Sequence, residues 1–251
     1  MVELAERKTP LLRWRGALLK LESLRPVGGV DDRAVAIFPN LERGTEAALA
    51  ATGGGALAAA SWARRRGIRL KIALHGAVSH EMRETLHLWG ATFEHFPSRE
   101  EALRHARTMA TEALPPLDGP KAAAELARTI GSELLEDITS PPSSVIAPAG
   151  AVAALLGAFQ ALRSRWPDVR ALALTAADEE LPELPRNPEL PGIATRPVSF
   201  AEASRARAEL ARTSGVLASH AAAAAAIAAR DGGLAIITSA GEREFSLERA
   251  P

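Results

Sequence analysis

The sequence predicts an α/β protein whose sheets are mostly parallel. Three observations carry that expectation. Short, β-leaning apolar runs alternate with longer stretches of helical periodicity. Several runs are almost wholly apolar, as strands covered on both faces are. Serine or glycine opens most helical stretches, and Ser98 with Glu101 and Ser199 with Glu202 read as capping boxes.

In chain order, strands are expected at Leu18–Leu21, Ala34–Phe38, Leu70–Leu74, Ala91–Phe96, Ser144–Ala147, Ala171–Leu174 and Leu234–Thr238. The helical candidates fall between them. Ala56–Arg66 follows a glycine run. His80–Gly90 carries Met82, Leu86 and Trp89 on one face. Glu100–Leu114 follows Ser98. Lys121–Glu136 carries Leu126, Ile130 and Leu134 on one stripe, and Ala151–Trp166 follows Gly150. Phe200–Arg212 and the alanine-rich Ser219–Arg230 complete the set. Linkers are expected at Pro115–Pro120, Ser140–Ser143 and the proline-rich Leu181–Pro197.

The chain has 251 residues and a mass of 26.4 kDa, enough for a large core. Basic and acidic residues number 30 each, so the formal net charge is zero. No global field favours nucleic acid or an anionic membrane, and neither is expected as a partner. With no cysteine, disulfides, thiolate nucleophiles and Cys-ligated metal sites are excluded. The first twenty residues hold Glu3, Glu6, Lys8, Arg13 and Arg15, which suits no secretory segment. The longest apolar run, Ala221–Ala229, is about half of a membrane span. A cytoplasmic location is expected. The only lysines are Lys8, Lys20, Lys71 and Lys121.

An ordered set of motifs then resembles one family. Thr9-Pro10-Leu11-Leu12 is similar to the T-P-L segment of the fold type II pyridoxal-phosphate (PLP) enzymes, among them threonine synthase, cysteine synthase and the tryptophan synthase β subunit. Lys20 to Arg33, with Glu22, Pro26, Gly28, Asp32 and Arg33 in register, resembles the family's K-x-E-x-x-x-P-T-G-S-F-K-D-R. Thr52-Gly53-Gly54-Gly55 resembles the substrate loop, S-G-N-x-G. Ala77-Val78-Ser79, the helix to Gly90 and Ala91-Thr92-Phe93 resemble A-S-P-x-K…G-A-E-V. Gly119-Pro120-Lys121 before Glu125 is similar to a turn of threonine synthases. Val145 to Gly150 resembles the strand that feeds the phosphate loop, and Ser239-Ala240-Gly241-Glu242-Arg243 resembles a cysteine synthase ending.

The resemblance implies a two-lobed, tryptophan synthase β-like fold, somewhat trimmed. Residues 1–39 with 114–251 would form the larger lobe and 40–113 the smaller, with the site in the crevice between them. The departures fall on the chemistry. Asp31 stands where the family has its Schiff-base lysine, and a carboxylate cannot form that link. Beside a phosphate at ~5 Å and an effective dielectric of ~20, a unit negative charge costs roughly 3 kcal/mol. Gly54 replaces the family's asparagine. Gly150-Ala151-Val152-Ala153-Ala154 replaces a phosphate loop rich in glycine and hydroxyls. Ser239 alone survives, where the family meets the ring nitrogen. No cofactor is therefore expected, and Gly150, Ala151, Val152, Ala153 and Ser239 are read as a vestigial pocket.

Three functions stay open. The leading one is a pseudoenzyme that acts as a non-catalytic subunit, as a homodimer or beside a catalytically active relative. The second is a binding module whose helix-start amides at Thr52, Gly53, Gly54 and Gly55 hold a small carboxylate or amino acid. The third is a repurposed enzyme using Asp31 and His75, or a residual PLP-dependent lyase. His220 is a further candidate for the emptied pocket. His80, Glu84 and His87 share a helix face at metal-ligand spacing, but the opposite Met82–Leu86–Trp89 stripe marks that face as solvated, so no metal is expected. The Arg64–Arg66 run favours a helix C-terminus rather than a nucleic-acid surface.

Overall fold

The computed structural model describes residues 8–76, 78–178, 184–185, 190 and 192–241. Glu3, Glu6, Ala77, Glu242, Arg243 and parts of the stretch from Pro182 to Pro197 fall outside them.

The chain builds two sheets. β1 (Leu11–Trp14) and β2 (Ala17–Lys20) form an antiparallel hairpin. α1 (Asp31–Ala34) leads into a 3-10 turn at Val35–Ile37. β3 (Glu46–Ala51), α2 (Gly53–Arg66), β4 (Arg69–His75), α3 (His80–Leu88), β5 (Thr92–Phe96), α4 (Arg99–Ala106) and β6 (Glu112–Ala113) follow. The rest comprises α5 (Pro120–Leu126), a π-helical turn, α6 (Ser132–Asp137), β7 (Ser144–Pro148), α7 (Val152–Arg165), β8 (Arg170–Ala176), β9 (Ala194–Val198), α8 (Phe200–Ser214), α9 (His220–Ala228) and β10 (Leu234–Ile236). One sheet runs β1-β2-β10-β7-β8-β9, and all of its pairings beyond the hairpin are parallel. The other runs β5-β4-β3-β6, wholly parallel. The α/β class with mostly parallel sheets is as expected.

Local chemistry explains the element ends. Ser79, Ser98, Ser199 and Ser219 each accept a backbone N–H in the first turn of the helix they cap. α2 ends at Arg64–Arg66, where cations complement the helix dipole, and Gly67 then takes a left-handed φ of 70°. Leu86 is fully buried, with Met82 and Trp89 packed partly against the same core.

Three expectations need correction. Ala34–Phe38 is helical, not a strand. Both edges of β2 are already taken, by β1 and β10, so the run has no strand beside it to join. It closes over α2 instead, where Phe38 meets Trp62 edge-on at 5.0 Å. The helix expected to reach Leu114 stops at Ala106, because Glu112–Ala113 pairs with β3. β3 itself was not expected, since its alanines carry little β signal. The linker expected to reach Pro197 contains β9, which pairs along β8.

A buried charged cluster fastens the N-terminal hairpin to α1 and α6. Lys20 Nζ, fully buried, donates to Glu133 at 2.5 Å and to the Thr9 carbonyl at 2.8 Å. Arg33 donates to both Glu22 and Glu133. Glu22 also accepts from Thr9 Oγ1 at 2.6 Å. Burial pushes the Glu133 carboxyl up, but hydrogen bonds from Arg33 and Lys20 outweigh it and hold the carboxyl below its ordinary value.

Candidate active-site cleft

A cleft of about 310 Å³ opens between the two sheets. Its walls follow from the way parallel strands feed helices at their carboxyl ends, where α/β proteins collect ligands. β3 runs out at Ala51 into an extended Thr52, and Gly53 then turns into α2 at a φ of +41°. The Thr52 carbonyl accepts from the N–H groups of Gly55 and Ala56 at 3.0 and 3.3 Å, while its side chain makes no capping bond. Thr52, Gly53, Gly54 and Gly55 therefore present the first turn of α2 along the cleft. β4 ends at His75, which also lines it.

Two further helix starts meet there. β7 passes into Gly150 and Ala151, and α7 begins at Val152 without a side-chain cap. Gly150, Ala151 and Ala153 line the cleft, and Val152 does not. α9 begins after Ser219, whose Oγ accepts from Ala222 N at 3.2 Å and from Ser239 Oγ at 2.8 Å. Bridges of Gly29 with Ser239 and of Ala218 with Ala240 knit this wall together. They bring Asp31, two residues beyond Gly29, onto the same cleft as Ser239.

Asp31 and Gly54 fit one another. A Cβ at residue 54 would lie 2.7 Å from Asp31 Oδ2, closer than a carbon and an oxygen can approach. A side chain there, such as the family's asparagine, would have to turn this carboxylate aside.

The far rim was not anticipated from sequence. Arg99 donates to both oxygens of Asp118, at 2.7 and 2.9 Å, and both residues line the cleft beside His75. Burial, partly offset by Asp118, holds the His75 imidazole below its ordinary value. Asp118 lies in a segment read only as a linker, and the capping box before Arg99 announced a helix start, not a site. His220 is not part of the cleft lining. Its ring packs on Phe200 with centroids 5.0 Å apart. His87, of the His80–Glu84–His87 set, lies against the Phe93 ring. Among the described residues no group of three or more potential ligands could hold a metal ion.

All four lysines are described, and none lines the cleft. Lys20 is enclosed in the Glu133 cluster, Lys8 pairs with Asp137 at 2.6 Å, and Lys71 pairs with Glu46 at 3.4 Å. Lys121 is exposed near the start of α5.

A cleft between two mostly parallel sheets, walled by the starts of α2, α7 and α9, is characteristic of α/β proteins whose helices follow parallel strands. The comparisons place the chain further. The family model described as "Pyridoxal-phosphate dependent enzyme" matches residues 2–191, and the chain belongs to that family. Among solved structures, the chain is similar to O-ureido-L-serine synthase, with 21% identity, a TM-score of 0.80 and coverage of 99% of this chain and 95% of that one. It is also similar to an O-acetylserine-dependent cystathionine β-synthase from Helicobacter pylori, with 18% identity, a TM-score of 0.80 and coverage of 97% and 96%. A third is a hydrogen sulfide-producing enzyme from Fusobacterium nucleatum, with 16% identity, a TM-score of 0.78 and coverage of 98% and 99%. A search of curated proteins finds no match.

Family membership overturns the expectation that no cofactor belongs here, because the family is a PLP-dependent one. The structure gives the physical reason. The substitutions at Ala151 and Ala153 remove hydroxyls, yet α7 still opens its first turn on the cleft, where a phosphate is favoured. Ser239 likewise stays on the wall. When bound, the cofactor supplies an electron sink. Ser239 and the first turn of α7 are the residues that would meet it.

Proposed function

We propose that this member of the PLP-dependent family binds a small amino acid or carboxylate in the cleft and works without lysine-linked chemistry. One observation carries the reading. Three helix starts, those of α2, α7 and α9, border a cleft that no lysine lines. Helix starts attract anions, so ligand recognition survives the loss of the covalent anchor. A lysine-to-alanine variant of O-ureido-L-serine synthase, which is 22% identical to this chain, has O-ureido-L-serine bound, which supports the same separation of binding from the amine. In this role the chain is a ligand-binding pseudoenzyme, as a homodimer or beside an active relative.

Two measurements test it. Thermal denaturation with rising L-serine or L-alanine is expected to shift upward, with about 2.7 kcal/mol gained at a hundredfold excess over Kd. Incubation with pyridoxal phosphate and then borohydride is expected to leave no stoichiometric adduct on a single lysine. A stoichiometric adduct on Lys20, Lys71 or Lys121 overturns the reading.

A further inference from the structure

We propose that the Arg99–Asp118 ion pair is a gate on the mouth of the cleft, and that access to the cleft floor requires the pair to part. The inference concerns entry and holds whatever the cleft binds. Both residues line the cleft, yet their side chains are 49% and 36% exposed, whereas Ala153 and Ala154 line it at 4% and 1%. The pair therefore stands at the mouth and the first turn of α7 at the floor. Arg99 Nε and Nη2 reach the two oxygens of Asp118 at 2.7 and 2.9 Å, a bidentate geometry. The arginine comes from α4, which packs on β3 and β4. The aspartate comes from the segment that enters α5, which packs on α7. The bond thus runs from the layer of one sheet to the layer of the other.

The two halves of the gate are unlike. Pro115, Pro116 and Pro120 stiffen the segment around Asp118, and Gly119 N donates to the Pro116 carbonyl at 3.4 Å. Asp118 is the fixed post. Ser98 Oγ holds the start of α4 by accepting from Glu101 N at 3.2 Å, so the moving part is the long side chain of Arg99. A pair this exposed is weak enough to part often. Exposed side chains change rotamer within nanoseconds, far faster than any covalent labelling. The rate at which a reagent reaches the floor therefore reads the fraction of time that the gate is open.

A chain without cysteine suits the test, because one introduced thiol is the only thiol. Ala153→Cys puts it on the cleft floor, and the uncharged reagent N-ethylmaleimide probes it. Asp118→Asn and Arg99→Gln, each added to Ala153→Cys, are expected to raise the labelling rate about two- to fivefold. Molar sodium chloride is expected to do the same with the pair left in place, since salt screens an exposed ion pair. Rates are taken relative to Ser164→Cys, an exposed position near the end of α7. The two rim substitutions change the local charge in opposite senses. A mere shift in thiol reactivity would speed one variant and slow the other, so acceleration in both belongs to the parted pair. Equal rates with the pair intact and broken overturn the gate, and so does acceleration by one variant alone. Ala51→Cys, on the β3 side of the cleft, carries the same series should Ala153→Cys fail to fold. No ligand enters the measurement, so its failure leaves the amino-acid reading standing, and a failed thermal shift leaves the gate standing.

Discussion

At the scale of single residues, the cleft is set by pairs that fit together. Gly54 is the clearest case. Gly54→Ala places a methyl group against Asp31 Oδ2. The colliding atom is the far end of a side chain that can turn away, so the loss is expected to stay below about 1 kcal/mol, less than rigid overpacking costs. Adding Asp31→Ala should restore most of that loss, because the colliding oxygen is gone. Urea denaturation of the two single variants and the double variant gives the coupling. Independent, additive losses would mean that the two residues do not constrain each other. Much of this pair was legible in the sequence. Asp31 and Gly54 stood out against the family's lysine and asparagine. Their contact was not legible, since it depends on how the chain returns after β3. Arg99 and Asp118 escaped for the same reason, since they are 19 residues apart and meet only across the cleft rim.

At the scale of elements, burial decides what the pattern leaves open. β7, β8 and β10 were readable because they are apolar and covered on both faces. β3 and the Ala34–Phe38 run were not. The first is rich in alanine and depleted of β-branched residues, and the second is rich in them, yet the first is the strand. Open sheet edges, which no local window contains, decided both. The contact of α5 and the π-helical turn with α7 is a further case. A Cβ at Gly157 would lie 2.7 Å from both the Ala123 carbonyl oxygen and the Ala127 nitrogen. Both are backbone atoms and cannot rotate aside. Gly157→Ala, which raises helix propensity in α7, is nevertheless expected to destabilise by about 1–3 kcal/mol. A thermal melt of the variant settles the sign, and an unchanged or higher midpoint would show that the two helices can slide apart freely.

At the scale of the whole molecule, the Lys20–Arg33–Glu22–Glu133 cluster joins segments more than a hundred residues apart. Its partners were invisible to local reading, although Lys20, Glu22 and Arg33 were each recognised within one motif. Glu133 is held below its ordinary value of 4.5 in the folded chain. Its stabilising contribution is therefore complete above that value and fades as pH falls through the depressed folded one. Glu133→Gln is expected to cost about 3–5 kcal/mol at neutral pH, where it leaves buried cations short of a partner. The gap between variant and wild type should narrow as the pH is lowered. Denaturant melts from neutral pH down to about pH 3 follow it, and a gap that widens on acidification would contradict the cluster's role.

β9 closes one margin of the six-stranded sheet, and its first four residues are exposed. Such a border is a template on which another polypeptide could continue the hydrogen-bonded lattice, and so a seed for fibrous aggregates. Arg196 and Pro197 interrupt that template, the one with a charge that resists close stacking, the other with a nitrogen that has no hydrogen to give. The sheet thus carries its own stop, and the chain can hold a long run of alanine-rich core without inviting its neighbours to extend it.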